Sequence, residues 1–196
     1  MDSKIFNLLY WQHYIILEED FKHTRRYVEL NSDNFETYPV EYTKLLQSIG
    51  SEFDVICKEI CKYYGYNNKQ NIIGYADVII PKFTGIKESK VLIRDNDSIV
   101  LEPLKEWNYN KPNSPGWWKV YNKIKHDRSN NFKKANLYNV LMGLTSLFLI
   151  EMYFIYEIAT KNNEKMKIPN TSSLLFEIKD WKVNQISLPR GILLEY

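Results

Sequence analysis

The residues of this 196-residue chain best suited to chemistry lie between Trp117 and Ala135, read Trp-Trp-Lys-Val-Tyr-Asn-Lys-Ile-Lys-His-Asp-Arg-Ser-Asn-Asn-Phe-Lys-Lys-Ala. At about 100° per residue on a helix, Lys119, Asn122, Lys123 and His126 fall within about 100° of arc. Trp117, Val120, Tyr121 and Ile124 take the opposite face. An imidazole titrates near neutrality and serves there as general acid or base. Lys119 and Lys123 supply charge for the extra negative charge of a phosphorane-like transition state. Asn122 suits a ribose hydroxyl or a phosphate oxygen. RNA brings its own nucleophile in the 2′-OH, so the chemistry requires no metal, and no cofactor is expected. Arg128 offers a further charge contact and Trp118 a ring on which a base could stack. The same pattern also describes an ordinary solvated helix face, with Trp118 in the core.

The elements that must position this cluster are mainly helical. Residues 4–30 read as a helix with Phe6, Tyr10, His13, Leu17, Phe21, Thr24 and Val28 in one stripe, which makes His13 a core histidine and leaves His23 in solvent. A second helix is expected from an N-cap at Thr37, with Pro39 in its first turn. Its stripe is Tyr42, Leu45, Leu46, Ile49, Phe53, Ile56, Ile60 and Tyr63, with Glu52 at the stripe edge. Gly65 ends it. A short helix over 71–80 is closed by Pro81. Two β-branched runs around an Asx-rich turn predict a β-hairpin at 90–102. Residues 107–116 read as an ordered loop, and Arg128–Asn131 as a break after the Trp117 helix. A long helix then runs from Phe132 to about Thr160, apolar nearly all round and hence central. Along it Asn136, Asn139, Gly143 and Ser146 form a small, polar strip suited to close helix approach and able to present amides toward His126. Short C-terminal strands are expected around Leu174–Ile178 and Ile192–Leu194. The fold class is therefore mainly α: a single-domain helical bundle over 1–196 with a β-hairpin insertion and short C-terminal strands.

Composition excludes several classes. With 44% apolar, 15% aromatic and 26% charged residues, the chain suits a packed globule rather than a disordered one. A net charge of +2 is too small to identify a nucleic-acid partner, so any basic site must be local. Cys57 and Cys61, four apart on a helix, suit neither a disulfide nor a zinc site and read as buried thiols of a cytoplasmic protein. The start has no signal-peptide pattern. Leu137–Ala159 contains Asn139, Glu151 and Glu157, which favours a buried core helix over a membrane span. No P-loop, GxGxxG, HExxH or GxSxG motif occurs. The carboxylate pairs at Glu18/Glu19/Asp20 and Asp95/Asp97 read as surface charge.

A helical bundle with a basic residue, a short spacer and a histidine before a long final helix resembles the HEPN superfamily. That family's motif is an Arg, four to six residues, then His, often with a polar residue after the Arg. Here His126 is the motif histidine, Lys119, with six residues between, stands where the arginine is expected, and Asn122 is the polar companion. Lysine lacks the arginine's forked contact, and Asn122 does not adjoin Lys119. The resemblance covers mainly residues 117–160. It implies a homodimeric, metal-independent ribonuclease of a toxin–antitoxin or abortive-infection (phage-defence) system, with His126, Lys119 and Asn122 catalytic and Lys123, Arg128 and Trp118 binding RNA. The helix 117–126 would lie near the two-fold. The competing reading is a non-catalytic HEPN-like protein that binds RNA or a protein partner through the same face.

Overall fold

The computed structural model describes residues 1–94, 96–164 and 169–181. The architecture is mainly α, with a small three-stranded antiparallel sheet. Two helices form its spine: α3 (Val40–Tyr63) and α7 (Leu137–Lys161) pack along each other, and the remaining elements are laid around them. The stripe read from the sequence of α3 is the buried one, from Tyr42 through Ile60, with Tyr63 half-buried at its end. Helix α3 starts at Val40, with Pro39 itself as the extended N-cap residue. Thr37 is thus not the cap. A residue preceding proline is biased away from the helical region, and Tyr38 holds that position. Gly65, at φ +86°, follows the last turn of α3, where a left-handed backbone favours glycine.

Helix α7 is buried on most sides. Among the described residues it is the one helix long and apolar enough to cross a bilayer, and 72% of its most apolar window lies inside the molecule. Its start shows how a helix end is satisfied. The Asn136 side chain accepts the Asn139 N–H at 3.0 Å. The Leu137 and Tyr138 N–H groups donate to the carbonyls of Thr37 and Phe35. Asn136 Nδ2 also donates to Glu36 at 2.9 Å. The segment 35–37 is thereby clamped to the N-terminus of α7.

The N-terminal helix departs from the simple stripe. It runs as α1 (Ser3–Phe6), a π-helical turn (Asn7–Trp11) and α2 (Gln12–Thr24). The wider turn inserts residues relative to an α-helical count. The buried set becomes Phe6, Trp11, Tyr14, Leu17 and Phe21, while Tyr10 is half-buried and His13 turns outward. His13 is consequently not a core histidine. The helix ends at Thr24, whose hydroxyl donates to the Phe21 carbonyl.

Helix α4 (Ile72–Lys82) carries Pro81 in its last turn instead of stopping before it, and is capped at its start by Asn71. The hairpin forms from β1 (Val91–Ile93) and β2 (Asn96–Leu101), and β3 (Phe176–Ile178) adds on the other edge of β1, giving the order β2-β1-β3. The expected strand near Ile192–Leu194, residue Asp95 and the Asp97 side chain lie outside the described residues. Cys57 and Cys61 are free and buried. Burial pushes the Cys61 thiol up to about 11 and the Cys57 thiol well above its ordinary value.

One carboxylate read as surface charge is not on the surface. Glu18 is 1% exposed. It accepts from the Tyr14 hydroxyl at 3.0 Å, the Leu174 N–H at 3.1 Å, the Leu175 N–H at 3.0 Å and the Ser173 hydroxyl. The side chain that most tightly fixes β3 to the bundle is thus an acid in α2. Four donors compensate its lost hydration.

Candidate functional site: the basic end of the fifth helix

Helix α5 (Gly116–His126) is seated by aromatic packing and by two glycines. Trp117 and Trp118 close on Phe53 of α3 at centroid distances of 5.2 and 5.7 Å. A Cβ on Gly50 of α3 would come within 2.4 Å of the Tyr121 ring, so the ring lies directly on the α3 backbone. Gly143 of α7 likewise leaves room for Trp117, at 3.1 Å from its missing Cβ, and for Ile49 at 3.2 Å. The strip of small residues on α7 does allow close approach, but its amides serve elsewhere: Asn136 caps α7, and Asn139 Nδ2 donates to the Asn136 side chain and the Lys134 carbonyl. Neither bonds to His126.

With Trp117, Tyr121 and Ile124 buried, the opposite face of α5 is exposed as its pattern predicts. Lys119 is exposed, and its ammonium donates to Asn113 Oδ1 at 2.7 Å, bracing the 107–115 loop. Asn122 is half-buried and donates to the Trp118 carbonyl of its own helix at 3.1 Å, which leaves its carbonyl oxygen as the group offered outward. Lys123 and His126 are exposed. Among the described residues His126 has no hydrogen-bonding or ion-pair partner. Its neighbour Asp127 is engaged elsewhere. Hydrogen bonds from Asn130, then Ser129, hold that carboxyl below the usual range. They also make Asp127 the N-cap of the short helix α6 (Arg128–Asn131).

Trp118 does not stand where a base could reach its faces. It is 6% exposed, packed between Phe53 and Tyr121. It stands about 100° of arc from Trp117, at the edge of the apolar face, and the aromatic shelf of α3 takes it in. Arg128 follows the expected break. Asp127 breaks the helix at φ −148°, ψ 75°, so Arg128 is exposed rather than turned to the apolar side.

The break produces a feature the helical-face argument missed. Beyond His126 the chain makes α6 and a 3-10 turn (Phe132–Lys134), doubling back so that Lys133 and Lys134 join the same end of the molecule. From Lys119 to Lys134 there are six Lys or Arg and one Asp, while the whole chain carries only +2. Cation excess is therefore concentrated here, and the rest of the chain is net acidic. Two exposed rings accompany it. Phe132 and Tyr38 are 44% and 43% exposed and meet edge-on at 6.0 Å, with the Lys133 ammonium 5.9 Å over the Tyr38 ring. Phe132, Lys133 and Lys134 were visible in the sequence as a charged run beside an aromatic. Tyr38 was not, because only the clamp of 35–37 onto α7 brings it there.

A second polar cluster lies between α2, α3 and α7. His13 Nε2 is 3.8 Å from Glu52, and Glu151 of α7 is fully buried with neither carboxyl oxygen hydrogen-bonded in the described structure. Burial, then the Glu52 charge, pushes the Glu151 carboxyl well above its ordinary value. Burial raises Glu52 too, with His13 opposing. Among the described residues no group of three or more His, Cys, Asp or Glu could hold a metal ion. A cleft of about 650 Å³ lies between β2, Phe35, Trp117 and Tyr138, away from the exposed face of α5.

Fold and site together define a mainly helical protein with a basic, partly aromatic end. No protein-family model, no curated protein and no solved structure matches this chain.

Proposed function

We propose that this protein binds single-stranded RNA at the end formed by α5, α6 and the Phe132–Lys134 turn. The observation that carries the reading is the concentration of cations around exposed rings. Lys123, Lys125, Arg128, Lys133 and Lys134 present positive charge beside Phe132 and Tyr38. Sequence-tolerant single-strand binding combines those two things, phosphate neutralisation and base stacking. The test is anisotropy titration of a labelled single-stranded RNA over a range of salt. Replacing Lys123, Arg128 and Lys134 together by alanine should flatten the dependence of log K on log salt by about 2, since each lost phosphate contact on a single strand is worth about 0.7. Phe132→Ala should cost about 1–3 kcal/mol of affinity through lost stacking. An unchanged salt slope, or no binding by the parent at low salt, would overturn the proposal.

A second reading is RNA cleavage. It is favoured by one observation: His126 is exposed and unpaired by any described carboxylate, one turn from Lys123. In this reading His126 moves the proton of the 2′-OH or of the leaving oxygen, Lys119 and Lys123 offset phosphate charge, and Asn122 offers its carbonyl to a ribose hydroxyl. This is the HEPN-like mechanism, in a protein of toxin or abortive-infection type acting in the cytoplasm. Incubating total RNA with the parent and with His126→Ala, in the presence of EDTA, separates it from binding alone. Equal cleavage by both proteins removes His126 from the chemistry.

A further inference from the structure

The N-terminal helix carries apolar side chains that the bundle does not cover. Ile5, Leu8, Leu9 and Ile16 are 46%, 67%, 56% and 55% exposed. The π turn sets this arrangement. By carrying Trp11 and Tyr14 into the core it turns Leu8 and Leu9 outward, onto the side that Ile5 and Ile16 occupy. Val55 of α3, one turn beyond the Glu52 that meets His13, is also 43% exposed. Single exposed apolar residues are ordinary; a row of four along one helix marks an interaction surface.

Its ends carry opposite charge. Lys4 stands eight residues before Gln12 and Glu19 seven after it, and all three are exposed. Read from either end, the face runs charge, apolar, glutamine, apolar, opposite charge. Two copies of such a face match when they lie antiparallel, because a two-fold axis through Gln12 sets Leu8 against Ile16 of the other copy and Lys4 against its Glu19. An isologous contact requires this self-complementarity. The exposed face of α5 lacks it. Its Lys119, Lys123 and His126 would meet like charge under the same symmetry, with no exposed apolar side chain between them. Helices α2 and α5 each pack on α3 and α7 and share little contact with each other.

We propose that the outer face of α1–α2, from Lys4 to Glu19, is the docking surface for a second copy of this chain, antiparallel about Gln12. The inference is independent of what the basic end binds. A standard interface covers about 800 Å² per partner. One helix face about 22 Å long, at about 1.5 Å per residue, covers less than that, so the dimer forms in the micromolar range.

Sedimentation equilibrium of the full chain up to about 100 μM, a concentration above such a Kd, should show the dimer. Leu8→Glu and Ile16→Glu should each weaken it at least about tenfold. Both side chains are exposed, so the thermal unfolding of the monomer should be unchanged. Lys4→Glu and Glu19→Lys should each weaken association, and the double exchange Lys4→Glu/Glu19→Lys should restore it. A monomeric parent at the highest concentration overturns the inference. So does a dimer that survives Leu8→Glu, a double exchange that fails to rescue, or vesicle binding by this face without self-association. Loss of RNA binding with the dimer intact would count against the RNA proposal alone.

Discussion

Replacing Gly50 with alanine tests what seats the candidate site. The new Cβ would lie 2.4 Å from Cδ2 of Tyr121 and 2.6 Å from its Cε2 and Cγ, where carbon contacts settle at about 3.5–4.0 Å. The ring must therefore withdraw by about 1 Å. It is 5% exposed and rests on Trp118 at 5.0 Å, so it cannot withdraw without shifting α5. Overpacking of this kind costs about 1–3 kcal/mol. Glycine-to-alanine in a helix interior returns about 1 kcal/mol. A contact as short as 2.4 Å belongs in the upper part of that range, about 2–3 kcal/mol, so the net expectation is a loss of about 1–2 kcal/mol, read as a lower urea midpoint at unchanged slope. The decisive measurement is the same substitution in a Tyr121→Ala background. There the clash is gone and only the helical gain remains, so Gly50→Ala should stabilise by about 1 kcal/mol. A change of sign between the two backgrounds corresponds to a coupling of about 2 kcal/mol or more. If Gly50→Ala shifts both proteins in the same direction by the same amount, direct ring-on-backbone packing is not what places α5.

Three further outcomes are expected. Glu151→Gln should alter stability in a pH-dependent way. The folded carboxyl is raised above the ordinary 4.5, so at intermediate pH the unfolded chain has lost a proton that the folded chain keeps. The parent then loses stability as pH rises, by up to about 1.4 kcal/mol per unit, until the folded acid titrates. The glutamine variant escapes that loss, and its stability relative to the parent should climb in urea titrations as pH rises above the ordinary carboxylate value of 4.5; a flat difference refutes it. Glu18→Ala strands the N–H groups of Leu174 and Leu175, removes the acceptor of the Ser173 hydroxyl, and leaves the Tyr14 hydroxyl only its bond to Ser173 Oγ at 3.1 Å. It should cost about 3 kcal/mol or more and expose 169–181 to limited proteolysis ahead of the bundle; unaltered protection would contradict the clasp. His126→Ala should shift stability by no more than about 0.5 kcal/mol, because the side chain is exposed and leaves no cavity. Unfolding of this variant would make the histidine structural.

The elements of this protein could be read from periodicity because burial of one helix face leaves a trace every three to four residues. That argument placed α3, α5 and the body of α7, identified the exposed face of α5 and found the hairpin and β3 by alternation; it began the long helix at Phe132, where a 3-10 turn stands instead and Asn136 caps an α7 that starts at Leu137. It failed where neighbours in space, rather than in sequence, set a residue's environment. The π turn at Asn7–Trp11 is invisible to a fixed 100° step, and one wider turn exchanged His13 for Tyr14 in the core. Glu18 resembled Glu19 and Asp20 in type, yet the donors that make its burial tolerable lie about 155 residues further along. Trp118 could be read as a base-stacking ring, though core packing was the simpler reading, and Phe53 and Tyr121 enclose it. Tyr38 joined the basic end only through carbonyls of 35–37 that satisfy the start of α7. Sequence alone determined which helices are amphipathic and where unpaired cations gather, since both are properties of local order. Tertiary structure alone decided which acids are buried, which ring is covered and which helix face is left bare, since desolvation and contact depend on segments distant along the chain.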